Sequence, residues 1–169
     1  MGGELQKGND SVHGSYVRKP DLLTAIFDYS NLRKILPNDN VHKKHYYLNE
    51  KYPKVAKECD AISGAFMLTR KEVFEKIGLF DENFFMYLED VDFCIRAKKK
   101  RYKIMFCPKS KMFHIGGASS PNKDKINHLA WKESRKYYAK KHFNYLENLL
   151  IQIVYLFDNL IINILKSLK

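Results

Sequence analysis

Residues 59–90 run CDAISGAFMLTRKEVFEKIGLFDENFFMYLED, and residues 91–114 continue VDFCIRAKKKRYKIMFCPKSKMFH. The hydrophobic period changes along this stretch, and those changes decide the fold class. Residues 61–68 are a short apolar run interrupted by Ser63 and Gly64, which fits a buried strand. Thr69 offers an N-cap with Glu72 as its capping-box partner, so a short helix is expected over Lys71–Ile77. Gly78 supplies the stop. Residues 79–86 read as a turn holding the aromatic cluster Phe80, Phe84 and Phe85. Glu89–Lys99 reads as a helix with Val91, Cys94, Ile95 and Ala97 at its apolar positions. The cations of residues 98–101 stand at the negative end of its dipole. Residues 102–107, closed by Pro108, and residues 111–115 read as strands, and Gly116-Gly117 as a break. Alternating strands and helices indicate an α/β fold.

Outward from this centre the pattern is looser. Residues 1–20 are rich in Gly, Ser, Asn and charge; they read as loop, with no secretory leader. Asp21 is a candidate cap for a helix over 22–36, which Pro37 and the following Asn-Asp-Asn end. Residues 38–58 read as an irregular, mobile, basic loop carrying His42, His45, Tyr46 and Tyr47. Helical periodicity returns at Asn127. Residues 128–142 are rich in Lys, Arg and Tyr, and residues 146–168 are strongly apolar at i, i+3, i+4, i+7 spacing. There Asn148, Gln152, Asn159, Asn163 and Lys166 form a narrow polar stripe. Three segments follow: an N-terminal loop and helix region (1–58), a central core (59–126) and basic and apolar C-terminal helices (127–169).

The chain has 169 residues, 45% hydrophobic and 29% charged, the balance of a globular domain rather than a disordered one. Its formal net charge of +11 calls for an anionic partner: nucleic acid, anionic lipid or phosphorylated small molecules. The charge is scattered and no basic–aromatic nucleic-acid motif occurs, so no nucleic acid is expected. Cys59, Cys94 and Cys107 have no CxxC spacing and are odd in number, which reads as reduced thiols in a cytoplasmic setting. Arg135, Lys136, Lys140 and Lys141 beside Tyr137, Tyr138 and the apolar 146–168 suit a membrane surface. A helix packed on the core or on a partner is the alternative. Asp158, Asn159 and Asn163 within the apolar run argue against a membrane span.

Three groups of residues are candidates for chemistry. Glu89-Asp90-Val91-Asp92 stands at a loop-to-helix junction directly after the aromatic segment. Partial desolvation there raises a carboxyl pKa and makes a usable base. Acids in a first helical turn are also ordinary dipole partners, and the local pattern leaves both readings open. His114 ends a strand, where a neutral imidazole can ligate a divalent metal. The small residues at 116–120 would let backbone amides approach a phosphate; a capping histidine before a solvated turn is the plain alternative. Ser63-Gly64-Ala65 places small residues in an apolar strand, which permits close approach by a ligand or tight packing on a helix.

Read in order, residues 60–68, 70–82, 84–92 and 102–104, then Pro108, then 114–119, resemble the C-terminal half of family 2 inverting glycosyltransferases, above all the rhamnosyltransferase-like branch. The resemblance is dense over 59–120 and looser over 20–58 and 128–145. It implies a partial GT-A fold: an acceptor-side half with a short mixed sheet and flanking helices, here followed by a C-terminal amphipathic helix. Asp90 matches the general base and Glu89 assists by orientation. Ser63, Gly64 and Ala65 line the sugar and acceptor cleft, with Asp92 as a further substrate-binding residue. His114 matches a position that in some relatives ligates the metal, magnesium or manganese, on the diphosphate.

The implied partners are a nucleotide-sugar donor and a glycan or lipid-linked acceptor. The implied role is cell-wall or polysaccharide biosynthesis, with the chain peripheral on the inner face of the plasma membrane. Such enzymes carry a first half of roughly one hundred residues with a doubly wound nucleotide-binding sheet and an Asp-x-Asp motif. No Asp-x-Asp precedes Asp90 in this sequence, so nucleotide and metal binding are expected to need a separate half. The alternatives are a noncatalytic membrane-associated binding module and a degenerate transferase remnant.

Overall fold

The structure is a computed structural model that describes residues 1–7, 10–11, 15–34, 39–114 and 123–167. Strands β1 (Gly2–Lys7), β2 (Asp10–Ser11), β3 (Tyr16–Val17), β4 (Lys57–Cys59), β5 (Ala61–Ile62) and β6 (Ile104–Phe113) alternate with five α-helices. These are α1 (Asp39–His45), α2 (Lys71–Ile77), α3 (Glu89–Lys99), α4 (Lys123–His142) and α5 (Tyr145–Ser167). The main sheet has the order β2-β1-β6-β4, and β3 pairs with β5 in a second, two-stranded sheet. β1 and β6 are parallel, while β2 and β4 run antiparallel to their neighbours. The molecule is therefore mixed α/β.

The segment expected as an opening loop supplies a central strand instead. Gly2 and Gly3 read as loop residues, but they are needed for close approach: a Cβ on Gly2 would lie 2.8 Å from the Phe66 carbonyl oxygen, and one on Gly3 would overlap the Phe66 ring and the Ser110 carbonyl. Pro108 does not end a strand, as expected, but lies inside β6. The register with β1 shifts between Gly3 and Glu4, so that Gly3 pairs with Cys107 and Glu4 with Lys111. A bulge here tolerates a residue that has no N–H to donate.

α2 and α3 keep their expected bounds, and Gly78 ends α2 with φ at +81°. The cap of α2 is Arg70, without a side-chain bond, rather than Thr69. The helix expected over 22–36 is broken into a five-residue π-helix, Thr24–Asp28, and a 3-10 turn, Asn31–Lys34. Asp21 does cap it, accepting from the Thr24 backbone N–H at 2.9 Å. The break has a tertiary cause: Asp158 of α5 takes the Asn31 N–H and Arg135 of α4 takes the Tyr29 carbonyl. The basic loop expected over 38–58 contains α1, with His45 buried against the Tyr29 hydroxyl at 3.2 Å. The run expected as one strand over 61–68 is strand only at β5. It then tightens into a 3-10 turn, Gly64–Phe66.

The core joins the sheets to α3, α4 and α5. Tyr16 stacks on Phe106 at 4.1 Å between ring centroids. Cys59, Ala61, Ile62, Val91, Cys94, Ile95, Tyr138, Ile151 and Tyr155 are buried around them. All three cysteines are free thiols.

Candidate active site

Glu89 and Asp90 open α3, and the chain reaches them through strained backbone. Tyr87 and Leu88 have φ of 72° and 67°, a left-handed conformation that costs non-glycine residues about 1–3 kcal/mol each and persists only where the surroundings enforce it. The surroundings do enforce it. Leu88 is buried in the core, Ser134 of α4 donates its hydroxyl to the Met86 carbonyl at 2.6 Å, and the Tyr87 ring meets the edge of Trp131 at 5.8 Å. Two consecutive left-handed residues swing the start of α3 against the turn at 63–65.

There the Gly64 N–H donates to Asp90 Oδ2 at 2.8 Å, and the Val91 N–H donates to Asp90 Oδ1 at 2.7 Å. A Cβ on residue 64 would stand 3.4 Å from Asp90 Cβ, so glycine lets the turn close on the carboxylate. The Ser63 hydroxyl accepts the Ala65 N–H and caps the 3-10 turn. Ser63, Gly64 and Ala65 thus come together with Glu89 and Asp90, on the exposed side of the turn.

The two carboxyls resist ionisation. Burial pushes Glu89 up, and the adjacent Asp90 charge adds to it; Glu89 Oε2 is buried without a hydrogen-bond partner. Burial also raises Asp90, held back in part by the Gly64 and Val91 amides. Asp90 is thus a half-buried carboxylate, fixed by two amides and with its pKa raised above the ordinary value by burial. The exposed rings of Phe85 and Tyr87 stand directly before it in the chain.

Asp92 departs from the expectation. It is 0% exposed and accepts from Arg96 Nε, Lys141 Nζ and His142 Nε2, each at 2.8 Å. Burial alone would raise its pKa, but bonds from His142, Lys141 and Arg96 outweigh it and lower the value to about 2. Two residues along a helix are about 200° apart. Asp92 therefore faces inward, where it ties α3 to α4 and has no face left for a substrate.

His114 stands exposed just past β6, its backbone N–H donating to the Gln6 carbonyl at 2.9 Å. No hydrogen bond or ion pair joins its ring to Glu89 or Asp90 among the described residues. Nor do three or more His, Cys, Asp and Glu side chains gather to hold a metal ion among them. A lone imidazole does not satisfy a divalent cation, so a metal at His114 would take its other ligands from elsewhere. The small-residue run at 116–120 lies outside the described residues. An apolar cavity of about 390 Å³ lies elsewhere, lined by residues such as Ile62, Met67, Val73, Phe93 and Ile104 and by neither acid.

Sequence comparison relates parts of the chain to glycosyltransferases. The chain is 38% identical over 69 residues to an N-acetylglucosaminyl-diphospho-decaprenol L-rhamnosyltransferase of Mycobacterium tuberculosis, which is 41% of this chain and 22% of that protein. It is 41% identical over 51 residues to a low-salt glycan biosynthesis hexosyltransferase of Haloferax volcanii, 30% of this chain and 17% of that one. It is 25% identical over 131 residues to the rhamnosyltransferase WbbL of Escherichia coli, 75% of this chain and 47% of that one. Over these segments the chain is related to glycosyltransferases. It spans less than half the length of each of these relatives. No family model and no solved structure matches it.

Sequence reasoning passed over Tyr87, Leu88, Trp131 and Ser134, which hold the acids in place. A lone tryptophan within a Lys- and Tyr-rich helix was the available signal for Trp131. The left-handed pair and the Ser134 clamp have no local signature.

Proposed function

We propose that this chain is the acceptor-side, base-carrying part of a family 2, GT-A-type inverting glycosyltransferase that moves a rhamnosyl or other hexosyl unit from a nucleotide sugar to a glycan or lipid-linked acceptor. The reading is carried by Asp90, fixed by the Gly64 amide at the mouth of a strained turn in a chain related to sugar transferases. An acceptor hydroxyl hydrogen-bonded to Asp90 attacks the anomeric carbon from the face opposite the leaving diphosphate. The new C–O bond forms as the bond to the diphosphate oxygen breaks, and the electron pair leaves with the nucleotide. The hydroxyl proton passes to Asp90. One in-line displacement inverts the configuration.

Glu89, with its unpartnered buried oxygen, orients the acceptor through a second hydrogen bond. The exposed rings of Phe85 and Tyr87 offer apolar faces to sugar C–H groups. The nucleotide is bound by residues outside this sequence, and the chain works peripherally on the inner face of the plasma membrane.

The test is transfer from a panel of radiolabelled nucleotide sugars to prenyl-diphosphate-linked N-acetylglucosamine. The chain is assayed alone and joined to the preceding half of the Mycobacterium relative. Asp90→Asn should lower transfer about 10²–10⁴-fold while leaving the chain folded. Transfer unchanged by Asp90→Asn would reject the base assignment and favour a noncatalytic binding module.

A further inference from the structure

The C-terminal helix buries polar groups along with apolar ones. Its inward face mixes Ile151, which is fully buried, with polar side chains. Tyr155 and Asp158 are buried, and Asp158 is paired with Arg135 Nη2 at 2.6 Å. Gln152 donates to the Lys136 carbonyl at 3.2 Å and to Asn148 at 3.1 Å. The outward face is apolar: Leu149, Leu150, Ile153, Leu156, Phe157 and Leu160 are each 44–73% exposed. On a 3.6-residue helix these six fall within an arc of about 120°. Glu147 and Asp158, the charged residues of 145–160, both lie off that arc.

Beside it runs a basic stripe on α4. Lys125, Lys132, Lys136 and Lys140 share a face about 80° wide, and the one acid within 125–144, Glu133, pairs with Lys136 at 3.1 Å. A groove of about 410 Å³ brings the two surfaces together, with Lys132 and Lys136 on one bank and Ile153 and Leu156 on the other. Of the four cations expected there from the sequence, Lys136 and Lys140 stand on this stripe and the other two do not. Arg135 is buried on Asp158, and Lys141 bonds Asp81 and Asp92.

We infer that the α4–α5 face docks on an anionic lipid bilayer, with the outer arc of α5 in the acyl–headgroup boundary and the α4 lysines on the phosphates. Charge decides for this occupant. An apolar arc flanked by lysines matches an interface that is apolar beneath and anionic above, whereas a second copy would bring lysines against lysines. No helix among the described residues is long and apolar enough to cross a membrane, so the fit is to a helix lying in the surface. The inference gives the peripheral location a defined surface and needs no part of the sugar chemistry.

The experiment is co-sedimentation of the full chain with vesicles of phosphatidylcholine, or of phosphatidylcholine with about a third phosphatidylglycerol, across a salt series. One variant is Leu149→Gln/Ile153→Gln/Leu156→Gln and the other is Lys136→Gln/Lys140→Gln. All five positions are exposed or half-exposed, and circular dichroism checks that both variants fold. The chain should bind the anionic vesicles and lose binding as salt rises. Loss of two surface lysines should weaken partitioning about thirtyfold, and the apolar triple at least as much. Equal binding to both vesicle types, or binding unaffected by either variant, would overturn the inference. So would sedimentation velocity showing a wild-type dimer that the apolar triple dissociates, together with no vesicle binding, since the face would then be an interface between copies.

Discussion

Replacing Asp92 by asparagine should cost the fold about 2–4 kcal/mol at neutral pH, whereas the same change at Asp90 should cost only about 1 kcal/mol, for the one backbone amide that loses its acceptor. Asp92 is sealed from water among Arg96, Lys141 and His142. The drop of its pKa from the ordinary 3.8 to about 2 corresponds to about 2.5 kcal/mol of preference for the charged form in the folded state. Asparagine keeps the shape but leaves Arg96 without its counter-charge and Lys141 with Asp81 alone, which moves the cost toward the figure for a broken buried pair. For a chain of this size the melting temperature should fall by about 5–15 °C.

The sign with pH follows from the depressed value. The stabilisation is present above the unfolded carboxyl's pKa near 3.8 and is lost as pH falls through about 2. Wild type and variant should therefore converge in strong acid. Asp90 has the opposite sign: its raised pKa means that the fold disfavours its charge at neutral pH. Urea denaturation followed by circular dichroism, across pH, reads all of this. The reasoning is refuted if Asp92→Asn matches wild type at neutral pH, or if Asp90→Asn is the more destabilised of the two.

Because burial raises Asp90 and Glu89, transfer should fall with acid at a pH above the ordinary carboxylate range near 4, which a rate profile measures directly. Arg135→Met leaves Asp158 buried without its cation and the Tyr29 carbonyl without its donor, and should cost about 3–5 kcal/mol in urea denaturation. Bonds from Ser110 lower the Cys107 thiol, whereas burial pushes Cys59 and Cys94 up to about 12. Iodoacetamide followed by mass spectrometry should therefore label Cys107 first and the other two only after unfolding.

The parts legible from the sequence are those that carry their own punctuation. α3 follows from the spacing of Val91, Cys94 and Ile95 and from the cations at its end, and α2 stops at Gly78 because only glycine takes φ of +81° readily. The meeting of Ser63-Gly64-Ala65 with Glu89-Asp90 followed from a resemblance rather than from local chemistry. β1 was hidden because Gly2 and Gly3 look like loop until the Phe66 ring and the β6 bulge press on them. The 22–36 segment looked like one helix because the groups that break it, Asp158 and Arg135, lie more than a hundred residues away in the chain.

Asp90 and Asp92 show the division most plainly. Their place in the first turn of a helix was written in residues 89–99, since backbone hydrogen bonding and apolar period act over a few residues. Which carboxylate meets an exposed turn and which is sealed among cations was not, because desolvation and charge depend on what packs alongside. Arg96 stands four residues from Asp92, but Lys141, His142 and Gly64 are 49, 50 and 26 residues from the aspartates they bind, and the fold alone brings them there. The same holds for α5: the sequence sets its apolar arc, but Arg135 and Lys136 decide that this arc faces outward.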